Sequence, residues 1–163
     1  MADRDTDPAN GRAPRTRQRP APRIGLGMLP DLLGFNLRCA QLSVFQHFAA
    51  TVGEADISPP QFGTLLLIEA NPDVSQSAVA EALRFDRSTL VQIIDRLEGR
   101  GLVARNVSAT DRRSHALRLT DQGIAFLADL KKQALEHEAD VAADLTDAER
   151  TQLIALLQKV YGG

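Results

Sequence analysis

Residues 111–120 read Asp111-Arg112-Arg113-Ser114-His115-Ala116-Leu117-Arg118-Leu119-Thr120, two adjacent arginines in a polar stretch between short apolar runs. The runs 102–106 and 115–119 fit two short strands, which puts Arg112 and Arg113 at the tip of a hairpin. Guanidinium groups held out on a rigid hairpin suit contact with a phosphate backbone or entry into a minor groove. A surface hairpin with solubilising charge reads the same way, so the preceding elements decide between the two.

Those elements form two short helices with a tight join. Ser75 can cap the first by accepting a free amide of its opening turn, and Ala78, Val79, Ala82 and Leu83 give it a short apolar face. Arg84-Phe85-Asp86 make the join, and Asp86 caps a longer helix that runs through Arg100. Leu90, Ile93, Ile94 and Leu97 recur there at three- and four-residue spacing, which gathers them on one buried face. Gly101 follows as a C′ glycine. The opposite face carries Arg87, Ser88, Thr89, Gln92 and Arg96, small and hydrogen-bonding rather than Glu/Lys-rich. In a helix-turn-helix the second helix enters the major groove with its N-terminal residues against base edges. Ser88, Thr89 and Gln92 suit base contacts, and Arg87 and Arg96 suit bases or phosphates. Ser75, Gln76, Ser114 and His115 complete the candidate DNA-facing set.

Charge is unevenly spread under a net −2. Residues 84–118 hold eight Arg against four acids, a net +4, and residues 24–83 hold one Arg against six acids, a net −5. Residues 119–163 hold four bases against eight acids, a net −4, and residues 1–23 hold six Arg against three Asp, a net +3. A positive block on an acidic scaffold fits a DNA-reading module, and it disfavours a membrane-surface helix.

On the hairpin run Asp111 to Thr120 and the helix pair before it, the chain resembles the MarR family of winged-helix transcription regulators from about residue 30 to 160. Leu117 stands where Val or Ile is commoner. The resemblance implies an obligate homodimer, with two recognition helices and two wings on a pseudo-palindromic, double-stranded operator. It implies that Arg113 reaches toward the minor groove and that Asp111 braces the wing by pairing with a nearby Arg. It also implies repression relieved by a small molecule bound between the dimer scaffold and the winged helix.

The expected fold is therefore mainly α: a winged helix-turn-helix over about 55–119, flanked by helices at 29–52 and 120–161 that form an intertwined dimerisation region. With 163 residues and 44% hydrophobic residues the chain can bury one core. It shows no membrane-spanning run and no secretory signal. One cysteine excludes an internal disulfide and suits a reducing cytoplasm. Residues 1–23, rich in Asp, Arg and Pro, read as a disordered basic arm. Arg12, Arg15, Arg17, Arg19 and Arg23 leave three roles open for it: DNA affinity, phosphates of an anionic ligand, or solvation alone.

The scaffold helices carry clear boundary signals. Ser58 and Gln61 are spaced as a capping box with Pro59 at the first helical position, and Phe62, Leu65, Leu66 and Ile68 point inward. Thr120 caps a helix through about Val141, with Ile124, Leu127, Leu130, Ala134 and Leu135 expected inward. Thr146 and Glu149 form another capping box, and Leu153, Leu156, Leu157, Val160 and Tyr161 line the last helix. The segment from Leu29 to Val52 is apolar almost all round, as a helix buried on several sides by its own core and a partner would be.

Within that first helix lie Asn36, Arg38, Gln41 and His47. A buried Arg38 could hold a carboxylate or phosphate, and Phe35, Phe45, Phe48 and Phe62 could wall an aromatic site. The expected effector is an aromatic carboxylate or its coenzyme A thioester. Arg38 pairing with Asp31, another acid or a partner chain, over a core of Phe residues, is the structural alternative. Redox sensing through Cys39, next to Arg38, is a rival mechanism, and a winged helix used only for protein contact is a rival function. No cofactor is expected. The three histidines have no metal-ligand spacing, and no nucleophile elbow, phosphate loop or paired-carboxylate motif points to an enzyme.

Overall fold

A computed structural model of the chain describes residues 24–107 and 115–162. They divide into two compact units, 24–36 and 37–162. In the first, a 3-10 turn spans Leu29–Asp31 with Pro30 in its opening turn. Asn36 Nδ2 donates to the carbonyls of Pro30 (2.8 Å) and Leu32 (2.9 Å). The long first helix, α1 (Leu33–Thr51), starts here, later than the Leu29 start expected from sequence, because Pro30 and the extended Leu32 interrupt the helical path.

The larger unit follows the expected order. After α1 come α2 (Pro59–Ala70), β1 (Val74–Ser75), α3 (Gln76–Ala82), α4 (Arg87–Gly99), β2 (Val103–Val107), β3 (His115–Leu119), α5 (Asp121–Val141) and α6 (Asp147–Tyr161). Both predicted capping boxes form, at Ser58–Gln61 and Thr146–Glu149. Ser75, Asp86 and Thr120 each accept the amide they were expected to accept.

Two helix ends close by the same left-handed device. Gly101 (φ +69) follows α4, with its amide on Glu98 O (2.8 Å) and the Leu102 amide on Leu97 O (3.0 Å). This is the Schellman pattern, in which glycine adopts positive φ without cost to a side chain. After α3 the same pattern is built on Arg84 (φ +55), with its amide on Glu81 O (3.1 Å) and the Phe85 amide on Ala80 O (2.9 Å).

The sheet has three strands, where the sequence suggested two. The order is β1-β3-β2, all antiparallel, with Val74 opposite Leu117 and Arg105 opposite Leu117 on the other side. The two-residue β1 escapes sequence detection because it is too short to show alternation. Its second residue, Ser75, is also the cap of α3. The hairpin's first strand also begins one residue later than expected, at Val103.

One core joins these elements. Leu65 and Ile68 of α2, Leu90, Ile94 and Leu97 of α4, Leu117 of β3 and Leu127 and Leu130 of α5 are almost wholly buried. At the start of α5, Thr120 Oγ1 donates to Gly101 O (2.5 Å) and the Thr120 amide to Leu102 O (3.1 Å). The Leu102 carbonyl comes so near that a Cβ on Gly123 would lie 2.0 Å from it.

Two inward assignments on α5 are corrected: Ile124 is 51% and Leu135 71% exposed in the protomer. They flank the apolar stripe of Leu127, Leu130 and Ala134 rather than falling within it. On α1 only Phe48 is buried and on α6 no residue is, so the apolar residues expected at a partner interface on these helices are exposed in the protomer.

Candidate nucleic-acid interface and effector cavity

The amino end of α4 is built around Asp86. Its carboxylate accepts the Thr89 amide (2.8 Å), the Ser88 hydroxyl (2.5 Å) and the Thr89 hydroxyl (2.6 Å). The bonds from Ser88 and then Thr89 hold the Asp86 carboxyl far below the usual carboxylate range. Both hydroxyl protons are thereby turned toward Asp86, leaving lone pairs outward. Ser88 and Thr89 are set up to accept hydrogen bonds from a base amino group rather than to donate.

The arginines of the basic block sort into two groups. Arg105 of β2 spans two acids of α4, Asp95 (2.5 Å) and Glu98, and ties the hairpin to the helix. Arg118 of β3 holds Asp73, lowering that carboxyl through the hydrogen bond it donates. Arg100 donates to the carbonyls of Asp56 (2.6 Å) and Ala55 (3.0 Å) and lies over the Phe126 ring. Arg84 donates to Tyr161 O (2.8 Å) at the end of α6 and lies over the Tyr161 ring, 5.2 Å from its centroid. Arg87 and Arg96 are exposed and make no ion pair among the described residues. The sequence counts all six toward the basic block and marks Arg87 and Arg96 as DNA-facing; the four struts depend on contacts 7 to 78 residues away.

Other candidate DNA-facing residues lie close by. Gln92 and Arg96 line a cavity of about 220 Å³ with Thr89 and Phe85. Arg96 also faces a cavity of about 680 Å³ with Ser58, Gln61 and Arg100. Ser75 Oγ is occupied by the Ala78 amide (3.2 Å), and Gln76 is half-buried at the start of α3. Asp111, Arg112, Arg113, Ser114, the His115 side chain and the 1–23 arm lie outside the described residues.

A third cavity, of about 230 Å³, lies among α1, α2 and α5. Phe45, Phe48 and Phe62, three of the expected ligand residues, line it together with Val44, Pro59, Ala134, His137 and Glu138. Behind it His47 Nδ1 meets His137 Nδ1 at 2.8 Å, with the rings stacked and the Phe48 ring edge-on to His137. Asp140 Oδ2 is 3.9 Å from His47 Nε2. Burial, and after it the neighbouring His47, pushes the His137 pKa down, so His137 is neutral near pH 7. The pair joins helices 90 residues apart, which is why the histidines look scattered in sequence.

The burial expected of Arg38 is corrected: it is exposed on α1 in the protomer, and Gln41 and Cys39 are exposed there too. None of the three lines the cavity. Phe35 is half-buried in the 24–36 unit, where Asn36 is occupied by its own turn.

A family model described as MarR family matches residues 55–114. A Thauera aromatica protein assigned to transcriptional regulation of the hcr operon is 40% identical over 83% of this chain and 82% of its own length. The solved structure of the transcriptional repressor CouR bound to a 23-mer DNA duplex superposes with a TM-score of 0.81 at 41% identity, covering 86% of this chain and 99% of that one. CouR bound to p-coumaroyl-CoA gives 0.79 at 40% identity over the same shares.

Proposed function

Because the chain belongs to the MarR family of transcriptional regulators, we propose that it is a cytoplasmic, homodimeric repressor that leaves its operator when an aromatic effector binds. Two copies of α4 would enter successive major grooves of a pseudo-palindromic site, with Arg112 and Arg113 of each hairpin at the flanking minor groove. The observation that carries this reading is the amino end of α4. Ser88 and Thr89 are oriented as acceptors there, Gln92 is exposed, and Arg87 and Arg96 have no ion-pair partner among the described residues.

The apolar faces of α1, α5 and α6 support a dimer. Leu42, Leu135, Leu153, Ile154, Leu156 and Val160 are all exposed large hydrophobics, a surface that monomeric proteins rarely leave to water. The aromatic-walled cavity supports an aromatic carboxylate or its coenzyme A thioester as effector, and the similarity to CouR, solved with p-coumaroyl-CoA, points the same way. No helix among the described residues is long and apolar enough to cross a membrane.

The test is fluorescence anisotropy with DNA from upstream of the protein's own gene. Tight, salt-sensitive binding that one aromatic ligand class abolishes is the expected result. Binding no tighter than to random DNA across such fragments overturns it.

A further inference from the structure

We infer that the 230 Å³ cavity reads a hydroxyl on the aromatic ring of the effector, through His137, and accepts the acyl group only with its carboxyl masked as a thioester. This rests on the effector class proposed above and assigns to it a recognition group, His137, outside the ligand set expected from sequence.

Size comes first. A cavity of roughly 150 Å³ takes one benzene, so 230 Å³ holds a substituted ring with a short acyl chain and leaves a nucleotide outside. The ring must therefore enter first and the carboxyl carbon must stay toward the opening.

Polarity comes second. His137 is 3% exposed and lines the cavity among Phe48, Phe62 and Ala134. Its Nδ1 is taken by His47, and its Nε2 has no partner among the described residues. The Nδ1–Nδ1 bond needs one donor and one acceptor, so the neutral His137 presents either N–H or a lone pair at Nε2. A hydroxyl satisfies both cases, because it donates and accepts. An unsubstituted ring satisfies neither and leaves a polar nitrogen dry, which is costly.

Charge comes third. Among the described residues no lysine or arginine lines the cavity. The one charged lining residue among those described is Glu138, an exposed carboxylate held by Arg150 at 3.5 Å. A free aromatic acid would bring a second carboxylate beside Glu138, whose one described cation, Arg150, is already engaged. A thioester carbonyl carries no charge there.

The experiment is isothermal titration of the full-length, DNA-free protein with five probes: p-coumaroyl-CoA, cinnamoyl-CoA, 4-hydroxybenzoyl-CoA, benzoyl-CoA and free p-coumarate. At one chain length or the other, the hydroxylated thioester should bind about tenfold more tightly than its unsubstituted partner, the scale of one good hydrogen bond. Free p-coumarate should bind more weakly than either cinnamoyl thioester. In His137→Leu the hydroxyl preference should fall below about twofold, with the unsubstituted thioester bound at least as tightly as by wild type, because no polar nitrogen is then left dry. If that variant does not fold, His137→Gln should retain part of the preference. Equal affinity for hydroxylated and unsubstituted thioesters at both lengths, or tighter binding of the free acid, overturns the inference while leaving the aromatic effector class intact. Failure of all five to bind overturns the effector class itself.

Discussion

Arg87→Ala should flatten the salt dependence of operator binding, whereas Arg118→Ala should not. Each phosphate neutralised on duplex DNA contributes about 0.9 to the slope of log K against log salt. Arg87 is exposed in the first turn of α4 with no ion-pair partner among the described residues. A homodimer uses it twice, so the slope should become shallower by about 1.8. Between 50 and 200 mM salt this corresponds to roughly a tenfold smaller fall in affinity for the variant. Arg118 belongs to the same basic block, but Asp73 already holds its guanidinium. Removing it should change the slope by less than about 0.5, since it releases no counterion from DNA. Anisotropy titrations at five salt concentrations, on the operator and on a scrambled duplex, give both slopes. Equal flattening by the two substitutions would refute the sorting of arginines into free groups and struts. An Arg87→Ala slope unchanged from wild type would remove Arg87 from the phosphate contacts.

Gly123→Ala should lower stability by about 1–3 kcal/mol and Tm by roughly 3–10 °C, because the new methyl meets the Leu102 carbonyl; an unchanged melting curve would show that the α5–β2 junction yields freely. His137 has a folded-state pKa below its unfolded value of 6.5. Its neutral form is thus preferred on folding, and the stability it contributes is present above pH 6.5 and lost as pH falls below it. Thermal melts from pH 8 to 5 should show that loss in wild type and a flatter profile in His137→Gln. Asp86→Ala frees the Ser88 and Thr89 hydroxyls, so the ratio of operator to random-DNA affinity should fall more than random-DNA affinity itself; a proportional fall in both would count against a specificity role. In Arg105→Met the hairpin loses its tie to Asp95 and Glu98, and amide exchange in β2 should quicken while exchange in α2 stays slow.

Much of the fold is legible in the sequence because its signals are local. Ser58, Asp86, Thr120 and Thr146 act on amides three residues away, and Gly101 closes its helix through neighbours in the same turn. The buried face of α4 follows from spacing alone. What depends on distant partners is hidden. The identical residue type serves as strut in Arg105 and Arg118 and as a free group in Arg87, and only the fold brings Asp73 or Glu98 near. His47 and His137 become a pair because α1 and α5 pack together. Exposed Ile124 and Leu135 show the converse limit: a hydrophobic pattern marks which residues avoid water, but not whether the cover comes from the same chain.

Arg84 sets one stabilising effect against another. A glycine there would relax the left-handed backbone by about 1 kcal/mol. Yet the side chain it deletes is the only described link from the α3–α4 turn to the end of α6, and the turn stands two residues before the cap of α4. Such a variant would relax its backbone and lose the Tyr161 hydrogen bond and ring contact together, two effects of similar size. A left-handed arginine here therefore trades backbone ease for a contact 77 residues away.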